Sequence, residues 1–265
     1  MMKQGQATRF DDQGRKSASQ PVVSTFFSVA RIVKHCLVDS VFDGAMETFS
    51  FLDHFEGLNF PKGLTKRIDQ AFEALAADPW YTMEGAQRFR AMTKFRLSRG
   101  GWSRLADQTF FQSTAINRYT GGVLRKFQSI ANGVPDDFLL SIARRQAGEL
   151  EIEQGIWDVN VHQVRVQTST APNAQAFSTP EGIHQDGHDF IGMVLWRRTN
   201  AVGAVSQVYD RDRTLMTEAT LERCGQGLLC NDREVFHAVT PFHSTAPEVP
   251  ATRDMFIFDW HQATS

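Results

Sequence analysis

The 265-residue sequence has no excess of either charge sign, no long apolar run and no paired cysteine framework. Lys and Arg number 28 against 30 Asp and Glu, which gives a formal charge of -2. Proteins held to nucleic acid by phosphate contacts normally carry a basic excess, so we expect no nucleic-acid partner. Nothing approaches the roughly 20 uninterrupted apolar residues that cross a bilayer, so we also expect no membrane association.

The cysteines are few and widely spaced. Cys36, Cys224 and Cys230 are an odd set without a CxxC pair, which favours reduced thiols. The apolar stretch at 21–42 begins too far along the chain and is too often interrupted by charged residues for a signal peptide. The sequence therefore predicts a cytoplasmic protein.

The residues that are present indicate helices in the first part of the chain. The polar residues 1–20 predict a flexible leader, and residues 21–265 a single domain that is helical to about 150, although a boundary there stays open. Apolar residues at three- and four-residue spacing predict a helix over 63–77, ended by Asp78-Pro79. A second helix is predicted from Pro135 to about Leu150, with two acidic residues in its first turn.

From about 155 to 262 the sequence changes to short β-branched and aromatic runs between polar, Pro- or Gly-bearing connections. This pattern is typical of an all-β sandwich or barrel. Helices that precede the strands, without alternating with them, argue against a doubly wound parallel sheet. The predicted strands are Trp157–Thr168, Asp189–Arg198, Val202–Asp210, Gly227–Asn231, Val235–Pro241 and Met255–Trp260.

One segment combines metal-ligating side chains at strand spacing. Residues i and i+2 of an extended segment point to the same side, so His184 and Asp186 can converge on one ion. His237, on a separate predicted strand, could supply a third ligand. Two imidazoles and one carboxylate form a facial triad that suits Fe(II) and leaves positions open for substrate and oxygen. The alternative is a surface turn in which Asp186 accepts backbone N–H groups.

A cation lies at the start of the last predicted strand. Alternation places Arg253 on the face of Met255 and Ile257, which we expect to point inward. A charge inside a barrel must be paired, and the sequence offers no nearby acid on that face. A dicarboxylate ligand would supply the partner through a bidentate ion pair. In the alternative, Arg253 lies at the exposed start of the strand.

The chain resembles the iron(II)- and 2-oxoglutarate-dependent dioxygenases. The similarity lies in His184-x-Asp186, His237 and Arg253, and the stretches IHQDGHDFIGMVLWRR, NDREVFHAVTPF and RDMFIFDW resemble the bacterial branch of L-isoleucine 4-hydroxylase and related free amino-acid hydroxylases. It extends over about residues 161–260 and thins toward the N-terminus, where only FQSTAINRYTGG and the following Arg125 resemble the branch.

This resemblance implies a double-stranded β-helix, or jelly roll, at about 155–262, flanked by helices. It implies that His184, Asp186 and His237 hold Fe(II) and that Arg253 pairs with the distal carboxylate of 2-oxoglutarate. The implied reaction consumes O2, releases succinate and CO2, and hydroxylates an unactivated C–H bond of a small molecule, most simply a free amino acid.

Three further polar residues are candidate substrate contacts. Arg165 and Gln163 share one face of the strand at 157–168, where polar residues end an otherwise apolar row, and Arg125 follows Gly121-Gly122. In the alternative for Arg165 and Gln163, this end of the strand face turns to solvent; in the alternative for Arg125, it is a surface arginine. His188 lies close enough to His184 to compete as a ligand, but the spacing favours Asp186. Asp189 could orient a ligand histidine, or it could be a plain turn residue.

Other functions remain open from the residues alone. The same chemistry could act on a carrier-bound or peptide-linked substrate, or end in desaturation or cyclisation. A non-catalytic jelly-roll binding protein would retain the fold without turnover. A hydrolytic metal enzyme would leave Arg253 unexplained. The Phe-rich helices could cover the sheet or a second subunit, so a homodimer also stays open.

Overall fold

The structure, a computed structural model, describes residues 48–106, 109–131, 133–152, 155–246 and 248–263. These residues belong to one compact unit. The leader predicted at 1–20, residues 21–47 and Cys36 lie outside them. None of the helices in the described part is long and apolar enough to cross a membrane.

Strands make up most of the regular secondary structure of the described residues. In chain order the elements are β1 (Phe49–Asp53), α1 (Leu64–Glu73), β2 (Ala86–Ser98), β3 (Gly101–Leu105), β4 (Thr109–Phe110), β5 (Arg125–Lys126), α2 (Asp136–Glu149), β6 (Trp157–Thr168), β7 (Gln175–Ala176), β8 (Phe190–Thr199), β9 (Ala201–Gly203), β10 (Val205–Tyr209), β11 (Leu215–Thr220), β12 (Gln226–Asn231), β13 (Phe236–Val239), β14 (Phe242–Ser244) and β15 (Thr252–Gln262).

A large antiparallel sheet forms the centre of the fold. Its seven strands follow the order β1-β12-β8-β15-β6-β2-β3. Two three-stranded sheets, β11-β10-β13 and β7-β14-β9, complete the second layer. Apolar side chains of β8, β12 and β15 pack with Val208 of β10, and those of β6 pack with Val239 and Phe242. The inner face of the large sheet is therefore covered by the smaller sheets.

The helices cover the outer face of the large sheet. Phe72 of α1 and Phe138 of α2 meet Phe256 of β15 edge to face, at centroid distances of 5.2 and 5.5 Å. Both helices form where the apolar spacing predicted them. However, α1 ends at Glu73 and not at residue 77, because residues 76–78 form backbone hydrogen bonds with Arg88 and Arg90 of β2.

The mainly β fold with flanking helices is confirmed, with two corrections. Residues before 150 are not only helical, because β1, β2 and β3 belong to the large sheet. Strand β2 pairs with β6 along twelve residues, but its apolar positions are interrupted by Arg88, Arg90 and other cations. The strand predicted at 202–210 is interrupted at Ala204, whose φ of 51° turns the chain from β9 into β10.

Candidate active site

His184 and His237 meet through a single backbone pair. The amide of His184 donates to the carbonyl of His237 at 3.0 Å, and the amide of His237 donates to the carbonyl of His184 at 2.9 Å. Residues that exchange both hydrogen bonds in an antiparallel pair project their side chains to the same side. The two imidazole centroids are accordingly 4.4 Å apart.

Asp186 completes a group of three convergent side chains. One ligand atom from each of His184, Asp186 and His237 lies within 4.8 Å of the other two. Asp186 Oδ1 is 3.6 Å from His184 Nε2, and Oδ2 is 3.4 Å from His237 Nε2. Both histidines are buried.

The donor atoms fit a metal ion. His184 Nδ1 lies 2.9 Å from the carbonyl of Gly182 and donates to it, so the lone pair of Nε2 faces Asp186. Both ring nitrogens of His237 are buried without a hydrogen-bond partner among the described residues. Two nitrogens and one carboxylate on one side of a point match the facial set that holds non-haem Fe(II).

The charges of the three groups are strongly coupled without a metal. Burial lowers the pKa of His237, but the carboxylates of Asp186 and Asp232 outweigh it and raise that pKa to about 10. Burial raises the pKa of Asp186, yet the two histidines hold it well below its ordinary value. A metal ion would take the place of these shared protons, because it binds neutral imidazole and ionised carboxylate.

Asp232 holds the segment that carries Asp186. Its Oδ1 accepts the amide N–H of Asp186 at 3.1 Å, and its Oδ2 accepts those of Gly187 at 2.7 Å and His188 at 3.0 Å. Oδ1 is also 3.4 Å from His237 Nε2. Sequence reasoning missed this residue, and its position five residues before His237 is a weak signal.

Gln112 links Asp186 to Arg125. Its side-chain oxygen accepts from Arg125 Nη2 at 2.8 Å and from Asn117 Nδ2 at 3.1 Å. These two donors fix the amide orientation, so Nε2 faces Asp186 and donates to its carbonyl at 3.0 Å and to Oδ1 at 3.2 Å. The loop that contains Gln112 thereby connects the predicted substrate contact Arg125 with a residue of the triad.

Arg253 is buried and largely unpaired. Nη1 donates to Ser178 Oγ at 3.3 Å, while Nε and Nη2 have no hydrogen-bond partner in the described part of the chain. Burial, with a smaller effect from Arg198, lowers the pKa of Arg253 to about 10. Ser178 lines the cavity that contains the triad. A guanidinium in this state has donors available for a carboxylate ligand.

A mixed-charge cavity opens from the triad between the large sheet and the loop at 111–124. Its wall combines apolar residues of β6, β8 and β15 with charged and amide side chains from β2, β5, β13, β15 and the loops at 111–124 and 177–189. The charged and amide residues among its lining are Arg88, Arg90, Gln112, Asn117, Arg125, Glu181, His184, Asp186, His237 and Asp259.

Arg165 and Gln163 do not reach this cavity, which corrects their prediction as substrate contacts. Arg165 is paired with Asp254 at 2.7 Å and Glu73 at 2.7 Å, beneath α1. Gln163 is buried on the same face, which carries the core under the helices. Gln163 and Arg165 do share one face of β6, as predicted, but the opposite face points to the cavity.

That other face carries His162, which contacts two residues of the cavity wall, Arg90 and Asp259. Arg90 donates to His162 Nδ1 at 3.0–3.2 Å, so Nε2 carries the proton and donates to Asp259 Oδ2 at 2.9 Å. His188 Nε2 lies 3.5 Å from the same oxygen and outside the triad. Asp189 accepts the backbone amide of Gln262 at 2.7 Å.

Comparison with known proteins identifies the family of this chain. The model of the 2OG-Fe dioxygenase family matches residues 69–259, more than half of the chain. Similar solved structures include IDO from Bacillus thuringiensis, with a TM-score of 0.66, 17% identity and coverage of 82% of this chain and 91% of that chain. A bsmA homolog from Methylobium petroleophilum PM1 has a TM-score of 0.61 at 25% identity, covering 76% and 85%.

The Fe(II)/(alpha)ketoglutarate-dependent dioxygenase TqaL has a TM-score of 0.62 at 17% identity, covering 83% of this chain and 84% of its own. No protein with a curated function has a significant sequence match. The structural similarities confirm the predicted jelly-roll fold, and the family implies Fe(II), 2-oxoglutarate and O2. The chain therefore belongs to the 2OG-Fe dioxygenase family.

Proposed function

We propose that this protein hydroxylates an aliphatic C–H bond of a free L-amino acid or a similar small molecule, and converts 2-oxoglutarate to succinate and CO2 in the same turnover. The observation that carries the proposal is the convergence of His184, Asp186 and His237 in a cavity whose wall includes Ser178, the one hydrogen-bond partner of the otherwise unsatisfied Arg253 guanidinium among the described residues. Resemblance to free amino-acid hydroxylases supports the substrate class.

Each residue has a defined part in this proposal. His184, Asp186 and His237 would hold Fe(II), which supplies oxidation of the C–H bond when bound with 2-oxoglutarate and O2. Arg253 would bind the distal carboxylate of 2-oxoglutarate, since its Nε and Nη2 are otherwise unsatisfied. Arg125, buried in the same cavity wall, would bind the carboxylate of the substrate.

Neighbouring residues hold this arrangement in place. Asp232 holds the backbone at 186–188, and Gln112 holds the Asp186 side chain. Ile257 and Met193 close the wall on the sheet side. A fixed cavity favours one C–H bond over others because small displacements of the reacting atom change the rate strongly.

The test is anaerobic reconstitution with Fe(II) and 2-oxoglutarate, followed by the visible charge-transfer band of the chelate. Oxygen and a panel of free L-amino acids are then added, and succinate is assayed. We expect a band and succinate release stimulated by at least one amino acid. Asp186→Ala should abolish coupled turnover, whereas Asp212→Ala, in an exposed turn, should not. A folded wild-type protein without a band would overturn the proposal.

A further inference from the structure

We propose that Glu181 binds the ammonium group of the substrate, opposite a carboxylate held by Arg125, so that the cavity selects a zwitterion with a free amine. This inference rests on the proposed function, which assigns Arg125 to the substrate carboxylate but assigns no residue to the substrate ammonium group. Glu181 lies three residues before His184 and lines the same cavity.

Glu181 is largely buried, and among the described residues it has one neighbour within ion-pair distance. Its side chain is 12% exposed, and Oε1 is 3.5 Å from His184 Nε2. Among the described residues no Lys or Arg forms an ion pair with this carboxylate, although Arg88, Arg90 and Arg125 line the cavity. An ionised carboxylate in such a position needs a partner, because burial removes the water that would otherwise stabilise it.

Metal binding would remove that one neighbour. The Nδ1–H of His184 is already donated to Gly182, so a metal must take the lone pair of Nε2. His184 is then neutral, and Nε2 has no proton for Glu181. Glu181 is not itself in the group of ligand atoms within 4.8 Å of one another. The carboxylate of Glu181 can then bind a cationic group of the substrate.

Arg125 forms the opposite pole. Nη1 donates to Thr120 and Nη2 to Gln112, which hold the guanidinium in place. Nε is buried without a hydrogen-bond partner in the described residues. Arg125 and Glu181 line one cavity, so a carboxylate and an ammonium on the same small molecule can each meet an opposite charge.

The experiment compares wild type, Glu181→Gln and a control variant, Glu84→Gln, whose residue is exposed and outside the cavity. Each is loaded anaerobically with Fe(II) and 2-oxoglutarate, and the visible band is titrated with a pool of free L-amino acids or the same pool N-acetylated. We expect the free pool to shift the band of wild type and Glu84→Gln. For Glu181→Gln, the concentration of the free pool that shifts the band should be higher by roughly 30-fold or more, as for a buried charge pair that loses one partner.

The N-acetylated pool should leave the wild-type band unchanged, which tests the inference without any variant. The Fe(II) and 2-oxoglutarate concentrations for half-maximal band formation should agree within about threefold among the three proteins. Absence of the wild-type band would refute the proposed function. With the band present, an equal response to N-acetylated acids, an unchanged response in Glu181→Gln, or loss of its Fe(II) binding would each refute the ammonium site alone. No wild-type response to the free pool would refute both the ammonium site and the free amino-acid substrate.

Discussion

Asp232→Asn should show how much the backbone contacts of Asp232 contribute to the proposed metal site while His184, Asp186 and His237 stay unchanged. Asp232 is buried, and its two oxygens accept three backbone N–H groups at 186–188. Asparagine preserves the size of the side chain but replaces one oxygen with an NH2 group and removes the charge. The substitution therefore changes the hydrogen bonds without opening a cavity.

The expected loss follows from these contacts. If the remaining oxygen keeps the N–H groups of Gly187 and His188, the new NH2 group faces the N–H of Asp186. Two buried donors are then unpaired, at about 1–3 kcal/mol each. The free energy of unfolding of the metal-free protein should fall by about 2–6 kcal/mol. Fe(II) affinity should weaken by about 10–100-fold, as is usual when a residue that orients a ligand is lost.

Urea denaturation and anaerobic Fe(II) titration measure the two quantities. The matched control is Asp210→Asn, because Asp210 Oδ1 accepts the N–H groups of Asp212 at 2.9 Å and Thr214 at 2.8 Å in an exposed turn. A single amide oxygen can keep both bonds, so the control should change stability by no more than about 0.5 kcal/mol. If Asp232→Asn matched the control in both assays, the positioning role of Asp232 would be refuted.

Arg253→Met should weaken 2-oxoglutarate binding by about 30-fold or more in a titration of the visible band. It should also raise the free energy of unfolding of the ligand-free protein, because an unpaired buried charge is removed; unchanged 2-oxoglutarate binding, or a fall in that free energy, would contradict this account. Burial lowers the pKa of His54 and of His162 to about 4. The unfolded chain therefore takes up protons first, and stability should decline as the pH falls from 6.5 to 4, by about 3 kcal/mol per histidine. In urea denaturation, His54→Gln should reduce the decline of the free energy of unfolding between pH 6.5 and 4. An unchanged decline would exclude a contribution from His54. Arg165→Met should destabilise the protein by less than the about 3–5 kcal/mol of a fully broken buried pair, because Asp254 keeps Arg197 at 3.2 Å, and it should not change the 2-oxoglutarate or amino-acid concentrations for half-maximal activity; a selective increase in either would return Arg165 to the site.

Local periodicity was sufficient to predict several parts of this molecule. Three- and four-residue spacing located α1 and α2, and alternation located β6 and β15, because both depend only on backbone geometry. Alternation also placed Arg253 on the face of Met255 and Ile257. His184 and Asp186 could be singled out because two residues of one extended segment share a side whatever the rest of the fold.

Alternation could not tell which face of β6 points to the cavity. It separates Gln163 and Arg165 from His162, but the choice between the two faces depends on where α1 and α2 pack. The helices cover the face of Arg165 and supply Glu73 as its partner. The charged strand β2 was missed for a related reason, since Asp78 and His162, the partners of Arg88 and Arg90, are brought to it only by folding.

The support of the site was decided by the tertiary structure alone. Gln112 reaches Asp186 across 74 residues of sequence, and Asp232 reaches the same segment across 46. Such contacts depend on the register between distant segments, which the packing of the whole chain selects. The sequence by itself thus singled out the side chains that we propose as metal ligands, whereas the fold determined what holds those side chains and what else lines the cavity.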